Sequence, residues 1–322
     1  MFPLVAPSAV IELSFDPVVT IGGANVRLET LGVAAAIFLG LVVAALVARR
    51  TSVDPSQPPD APGTEPGDRN HLRGDDLLYI AVAAIPGAVV AGRLGYALIH
   101  LDYYGANTAA LFEVGAGGFQ LSLGVVGGIL TASIVASLLG APLGRWMHAL
   151  ALPLLLALAA GKAAMMLGGT GQGQRSDVSW ATVYLGPGPW GSLAPALPAH
   201  PSQGYEALAT VVVMLVVMWF LAFDAFKGRR GGVLFFGLGL WAVARALVAV
   251  TWRDPQVVGP LRMDQVISIV IACVSFALMA TMGSVSVVRG RRAPSGTAGA
   301  GSTSATGPDG VAWPDPESRP RI

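Results

Sequence analysis

Three basic residues lie inside long apolar stretches of the sequence. Lys162 interrupts LPLLLALAAGKAAMML, Arg93 interrupts AVAAIPGAVVAGRLGYALI, and Arg245 interrupts VLFFGLGLWAVARALVAV. A cation inside a bilayer costs several kcal/mol, so such a residue usually faces a cavity, an ion-pair partner or a ligand. Few acidic residues accompany the three cations. The pattern therefore indicates an anionic partner from outside the protein, and a membrane offers lipid phosphate.

The three cations differ in how they bind an anion. A guanidinium such as that of Arg93 or Arg245 binds phosphate through two parallel hydrogen bonds, whereas Lys162 acts as a point charge. Arg93 lies between two glycines and shares a helix face with Tyr96. Arg245 follows Trp241 by one turn, which favours a stacked pair. The alternative for each cation is an internal ion pair or a side chain extended toward the membrane surface.

A second group of polar side chains lies in HPSQGYEAL (200–208), before and within a later apolar stretch. Its proline suits the start of a helix, which Ser202 can cap. His200 and Glu206 are titratable groups expected near the membrane surface. Pairing of Glu206 with Arg93 or Arg245 is an equally supported alternative, and a lone histidine at a helix start is more often a hydrogen-bonding residue than a base.

Metal ions, nucleotide cofactors and nucleic acid are not expected. The sequence has no acidic cluster in an apolar stretch, and it has four histidines: His71, His100, His148 and His200. GTGQGQ (169–174) is a weak match to a glycine-rich nucleotide loop, because no strand is predicted before it. The net charge of +1 gives no sign of a nucleic-acid partner.

The elements that must position these residues are membrane helices. The chain is 53% hydrophobic and 12% charged, against about 25% charged residues in soluble domains. A spanning helix needs about 20 apolar residues. Seven segments qualify: 31–48, 77–100, 118–140, 147–167, 205–226, 232–251 and 264–284. The predicted fold is an all-α membrane protein with seven transmembrane helices over residues 31–285, and Cys273 in the last helix is expected to be buried.

Lysines and arginines between the helices predict the orientation, because cytoplasmic loops are enriched in them. The segment 1–30 is expected outside and the carboxyl terminus in the cytoplasm. The linker 51–74 is expected in the cytoplasm, and 286–322 is expected to be a disordered cytoplasmic tail. The outer loop 168–204 is long and rich in glycine, proline and aromatic residues, which favours a gate or lid over the alternative of a flexible connector.

These residues resemble those of prolipoprotein diacylglyceryl transferases, enzymes of the bacterial inner membrane. The resemblance covers roughly residues 12–285 and is most specific in HPSQGYEAL and GRLGY; it also includes GAGGFQLSLGVVGG, AAGKAAMMLGGTGQG and MDQVISI. It implies a multi-pass enzyme that transfers diacylglycerol from phosphatidylglycerol to the lipobox cysteine of a lipoprotein precursor and releases glycerol phosphate. Its implied partners are those two substrates and other membrane lipids, and it implies no cofactor.

The resemblance also implies roles for individual residues. Phospholipid binding is expected of Arg93, Lys162, Gln203, Tyr205 and Arg245. Arg245 is at the position of a phosphate-binding arginine, and Lys162 is where the family usually has a second arginine. A base must help to form the thiolate that attacks the lipid, and His200 is the first candidate because an ordinary histidine titrates near neutral pH. Glu206 is the second candidate.

Several residues typical of the family are replaced. A glycine-flanked histidine of the third helix is Ser122 here. The other replacements are Leu31 or a neighbour for a tyrosine, Met165 and about Thr170 for an asparagine and an acid, and Ala249 or Val250 for an acid. Two hypotheses follow: the family reaction with fewer polar groups in the site, or a non-catalytic lipid- or lipoprotein-binding paralogue. A transporter is weaker, because no inverted halves are visible.

Overall fold

The computed structural model describes residues 10–51, 72–113, 118–226, 231–254 and 256–292, with side chains described up to Met282. The helices are α1 (Leu28–Arg50), α2 (Gly74–Ile99), α3 (Leu101–Ala106), α4 (Leu121–Leu138), α5 (Leu143–Met165), α6 (Ser202–Ala222), α7 (Gly232–Val248) and α8 (Met263–Arg292). Short 3-10 turns cover Thr108–Phe112 and Ala249–Thr251.

Seven helices are long and apolar enough to cross a membrane: α1, α2, α4, α5, α6, α7 with the turn after it, and the first 20 residues of α8. The prediction of a multi-pass membrane protein with seven spans is therefore confirmed. Large apolar side chains such as Phe38, Leu78 and Trp219 are exposed on the bundle, as expected for lipid contact. The expectation for Cys273 is wrong: it is exposed, because lipid covers a small apolar side chain as well as protein does.

The described residues cover the predicted cytoplasmic linker and tail only in part. Most of the predicted cytoplasmic linker, residues 52–71, lies outside the described residues, and so does the tail from residue 293. Helix α8 continues to Arg292, past the predicted end of the last span. Residues 286–292, predicted as the start of a disordered tail, are therefore helical.

Consecutive spanning helices run in opposite directions, and this brings the site residues together. The ends of α2, α5 and α7 meet the starts of α1, α4, α6 and α8 at one end of the bundle, as the backbone bond from Gln120 N to Gly92 O (2.9 Å) illustrates. We call this the loop end, because the segment 166–201 lies there. Every charged residue that the sequence singled out is within about two turns of it.

Short strands, which the sequence analysis did not predict, build the loop end. β1 (Ile11–Leu13) pairs in parallel with β4 (Thr182–Tyr184). Two antiparallel hairpins are formed by β2 (Val18–Ile21) with β3 (Ala24–Arg27) and by β5 (Gln256–Val258) with β6 (Leu261–Arg262). All three residues of β4 are buried. The long loop is thus packed structure, not a loose connector, and its role as a lid or gate stays a prediction.

Helices α2 and α4 approach closely because small residues line their contact. A Cβ atom added to Gly124 would lie 3.2 Å from the carbonyl oxygen of Ala88, and one on Gly128 would lie 3.2 Å from that of Ala84. Small residues four positions apart, as in the GVVGG stretch, allow two helices to approach this closely. The contact fixes the start of α4 beside the end of α2.

Candidate functional site

A buried ion network lies at the loop end. The Glu206 carboxylate sits between two cations: Oε2 is 3.0 Å from Lys162 Nζ, and Oε1 accepts a hydrogen bond from Arg245 Nη1. Arg245 Nη2 also lies 3.6 Å from Asp264 Oδ1. Lys162, Glu206 and Arg245 are 8%, 1% and 3% exposed. The expected alternative for Glu206, pairing with Arg245, is therefore observed, and Lys162 joins the pair.

The helix ends explain why these residues meet. Lys162 and Arg245 each precede the last residue of their helix by three positions, Glu206 follows the first residue of α6 by four, and Asp264 is the second residue of α8. Lys162 and Arg245 thus lie in the last turns of their helices, not at the middle of the apolar stretches. Near a helix end, an ion network can reach both the lipid headgroup region and the loop segment.

The Arg245 guanidinium is held on several sides. Its Nε donates to Ser122 Oγ at 2.8 Å, and Ser122 is fully buried. The Cζ atom of Arg245 lies 4.4 Å from the centre of the Trp252 ring and 5.8 Å from the centre of the Trp241 ring. The predicted contact with Trp241 is present, but Trp252, which the sequence analysis missed, is closer. Lys162 Nζ lies 5.4 Å from the same Trp252 ring, so one indole covers both cations.

Gln120 joins the start of α4 to the network. Its Nε2 donates to Asp264 Oδ1, and its Oε1 caps α4 by accepting from the backbone nitrogen of Leu123, both at 2.5 Å. Gln120 and Asp264 were not predicted as site residues, although each is a polar residue at the start of an apolar helix. That position was the available signal, because polar helix starts meet at one end of an antiparallel bundle.

A cavity of about 440 Å³ is lined by Lys162, Glu206, Arg245, Asp264 and Gln203, among others. Gln203 is 1% exposed. Its Nε2 donates to Tyr184 Oη at 2.9 Å. Its Oε1 has no hydrogen-bond partner in the described part of the chain. Burial raises the pKa of Tyr184 to about 12, so this hydroxyl stays protonated at neutral pH.

Arg93 faces another part of the loop end. Its guanidinium donates to the carbonyl oxygens of Ala110 (2.6 Å), Leu111 (3.2 Å), Glu113 (3.2 Å) and Gly118 (3.1 Å). Arg93 thereby binds the connection between α3 and α4, and it is not among the described residues that line the cavity. A role for it in phospholipid binding stays a prediction.

His200 and Tyr205 form a polar cluster outside the cavity lining. His200 Nδ1 lies 3.3 Å from Tyr205 Oη, which also accepts a hydrogen bond from Trp180 Nε1 at 2.6 Å. The described residues that line the cavity include Gln203 and Glu206 from the same segment but not these two. Of the two candidate bases, the structure therefore places Glu206 in the cavity with the cations. The predicted roles of His200 and Tyr205 stay predictions.

Comparison with known proteins agrees with the resemblance in the sequence. Residues 17–281 match the model of a family described as prolipoprotein diacylglyceryl transferase. The chain belongs to this family. Membership in the prolipoprotein diacylglyceryl transferase family identifies the chain as an enzyme, a transferase of lipoprotein biosynthesis, and confirms the prediction.

Several curated relatives are named phosphatidylglycerol–prolipoprotein diacylglyceryl transferase. One from Clostridioides difficile (strain 630) is 27% identical over 199 residues, which cover 62% of this chain and 75% of the relative. One from Geobacter sulfurreducens is 30% identical over 206 residues, with 61% and 74% covered. One from Chromohalobacter salexigens is 32% identical over 211 residues, with 64% and 74% covered.

Proposed function

We propose that the protein transfers diacylglycerol from phosphatidylglycerol to the lipobox cysteine of a lipoprotein precursor. The cysteine sulfur bonds to the lipid carbon that carries the phosphate, the bond from that carbon to the phosphate oxygen breaks, and glycerol phosphate leaves. One observation carries the proposal: Lys162, Glu206 and Arg245 meet in a cavity of about 440 Å³ at one end of a seven-helix membrane bundle.

The cations suit the leaving group. Negative charge grows on the departing phosphate oxygen, and preorganised donors at that place lower the barrier. Lys162 has three N–H donors and Arg245 has five, and their observed partners leave donors on both side chains for a phosphate. Glu206 and Asp264 balance the charges of Lys162 and Arg245 within the fold, so the sequence-based inference that the cations need an outside anion was too strong.

Glu206 is the base that the geometry favours. It lines the cavity, and the cations on either side of it also stabilise a thiolate, which is the nucleophilic form of cysteine. A proton passing from the thiol to Glu206 would leave the thiolate beside Lys162 and Arg245. His200 remains the alternative, acting from the cluster with Tyr205.

The direct test is lipid transfer by the purified full-length protein in phosphatidylglycerol nanodiscs. A synthetic lipobox peptide should gain the mass of diacylglycerol, and glycerol phosphate should appear in equal amount. The control peptide carries serine in place of cysteine. Binding of phosphatidylglycerol without transfer would instead favour the non-catalytic paralogue, which the replacement of the family histidine by Ser122 suggests.

The contacts of Gln203 favour a donor lipid whose headgroup carries hydroxyl groups. Whichever way the amide is turned, one polar atom faces the Tyr184 hydroxyl and the other is left without a partner in the described part of the chain. A hydroxyl both donates and accepts, so it satisfies either amide atom. A choline headgroup offers neither an N–H nor an O–H donor.

Replacing Gln203 by leucine should therefore reduce discrimination among donor lipids. We expect transfer from phosphatidylglycerol to fall roughly tenfold, the scale of one lost hydrogen bond, with little change in transfer from a donor that lacks headgroup hydroxyls. The measurement is the rate with each lipid for wild type and Gln203→Leu. An equal loss with both lipids would show that Gln203 supports the fold rather than the choice of donor.

We further propose that the protein lies in the cytoplasmic (inner) membrane of a bacterium, with its amino terminus and loop end outside. The excess of Lys and Arg in the segments between the other helix ends supports this orientation. In a Cys273→Ser background, Ser179→Cys should react with an impermeant thiol reagent in intact cells, because Ser179 is exposed at the loop end. Ser56→Cys, outside the described residues, should not react, and the opposite pattern would reverse the orientation.

A further inference from the structure

A second cavity, of about 590 Å³, adjoins the first at the loop end. We call it the vestibule, and the basic residues in its lining are Arg175, Arg253 and Arg262. Arg253, Asp254 and Gln256 line both cavities. The two cavities therefore adjoin each other at these three residues.

None of the three vestibule arginines forms a salt bridge with a carboxylate in the described part of the chain. Arg253 Nε donates to the carbonyl oxygen of Gly173 at 2.6 Å, and Arg262 Nη1 donates to that of Asp254. Carbonyl oxygens orient a guanidinium without cancelling its charge. The exposed Arg175 side chain has no hydrogen bond or ion pair with the residues that the structure describes. This differs from the first cavity, where carboxylates neutralise Lys162 and Arg245.

Acidic charge in the vestibule is small. Among the described residues in its lining, the only carboxylate is that of Asp254. Burial, and then the nearby charge of Asp264, raise the pKa of Asp254 above its ordinary value. The described lining of the vestibule therefore carries a net positive charge. The cations and carboxylates of the ion network in the first cavity balance each other.

We infer that the vestibule binds a phosphate monoester, the glycerol phosphate that the transfer releases. This rests on the proposed function. The donor lipid carries a phosphodiester with one negative charge, whereas a phosphate monoester has a second pKa near 6 and carries close to two at neutral pH. Three guanidinium groups beside a single carboxylate favour the dianion. The released product is drawn away from the lipid site, and this clears the cavity for the next donor.

The test uses the full-length protein in nanodiscs of uncharged lipid and measures binding of sn-glycerol 1-phosphate, with glycerol as the neutral control. Wild type should bind the phosphate and not glycerol, and binding should weaken as salt rises. Arg175→Glu should weaken it by about tenfold, as expected for reversing one solvent-exposed charge near a dianion.

Arg49→Glu is the matched control, because Arg49 is an exposed arginine at the far end of α1. It should leave binding unchanged. In the transfer assay, added glycerol phosphate should inhibit wild type and Arg49→Glu at lower concentrations than Arg175→Glu.

Equal binding by wild type and Arg175→Glu would overturn the vestibule site, as would binding only of intact phosphatidylglycerol. Transfer without any binding of glycerol phosphate would keep the proposed reaction and reject the vestibule site. Arg175-dependent binding by a protein that transfers no lipid would keep the anion site and reject both the reaction and the assignment of the site to its product.

Discussion

Glu206→Gln is expected to reduce lipid transfer by about 100-fold or more, the usual contribution of a general base. The change keeps the size of the side chain and removes the charge that joins Lys162 to Arg245. Removing one partner of a buried ion pair costs up to about 3–5 kcal/mol. The loss should be smaller here, because Asp264 still lies beside Arg245. Transfer rate and thermal unfolding in detergent measure the two effects.

The affinity for phosphatidylglycerol distinguishes a variant that has lost the base from a variant that has lost the lipid-binding site. With one negative charge fewer beside both cations, Glu206→Gln should bind phosphatidylglycerol as tightly as wild type or more tightly. His200→Ala is the comparison, since the two residues lie in one segment and only Glu206 lines the cavity. We expect His200→Ala to stay within about tenfold of the wild-type rate, below the loss expected for a base. If the transfer rate fell 100-fold in His200→Ala and stayed normal in Glu206→Gln, His200 would be the base and Glu206 would not.

The spans and the main site residues could be predicted from the sequence, because the demands of a membrane leave a strong pattern in the sequence for each of them. Only a long apolar helix crosses lipid with its backbone bonded, and a cation within it is conspicuous. Lys162 and Arg245 were found in this way, and Glu206 followed from the segment around it. Their common position near one end follows from the alternation of helix direction.

The rest of the site could not be predicted because its signals are local and weak. Gln120 and Asp264 are polar residues at helix starts, and such residues usually only cap helices. Trp252 lies in a connection, and its place over Arg245 depends on how the loop end folds. The short strands had no alternating pattern long enough to detect, since each has two to four residues.

The same weakness explains why the balance of charge could not be predicted. Counting acids inside apolar stretches omitted Asp264, because it is the second residue of its helix. The sequence therefore suggested unbalanced cations, although the fold supplies two carboxylates to two cations. Arg93 was grouped with Lys162 and Arg245 for its position in an apolar run, but its guanidinium donates to carbonyl oxygens of the connection after α3.

Arg245→Lys is expected to lower the transfer rate by about 100- to 1000-fold, the usual cost of removing a donor that stabilises transition-state charge. The planar fork of Arg245 reaches Ser122, Glu206 and Asp264 with three different nitrogens. The single nitrogen of lysine cannot reach all three and also bind phosphate. Because the positive charge is kept, the protein should fold with little change in thermal stability.

Lys162→Arg is the matched control for that prediction, since it makes the reverse exchange at the other cation of Glu206. It should retain or improve phosphatidylglycerol binding and transfer, because a guanidinium can bind two phosphate oxygens where an ammonium binds as a point charge. The measurements are transfer rate and phosphatidylglycerol affinity for both variants. Equal rates in wild type and Arg245→Lys would show that positive charge alone is sufficient at position 245, and the proposed role of the fork would then be wrong.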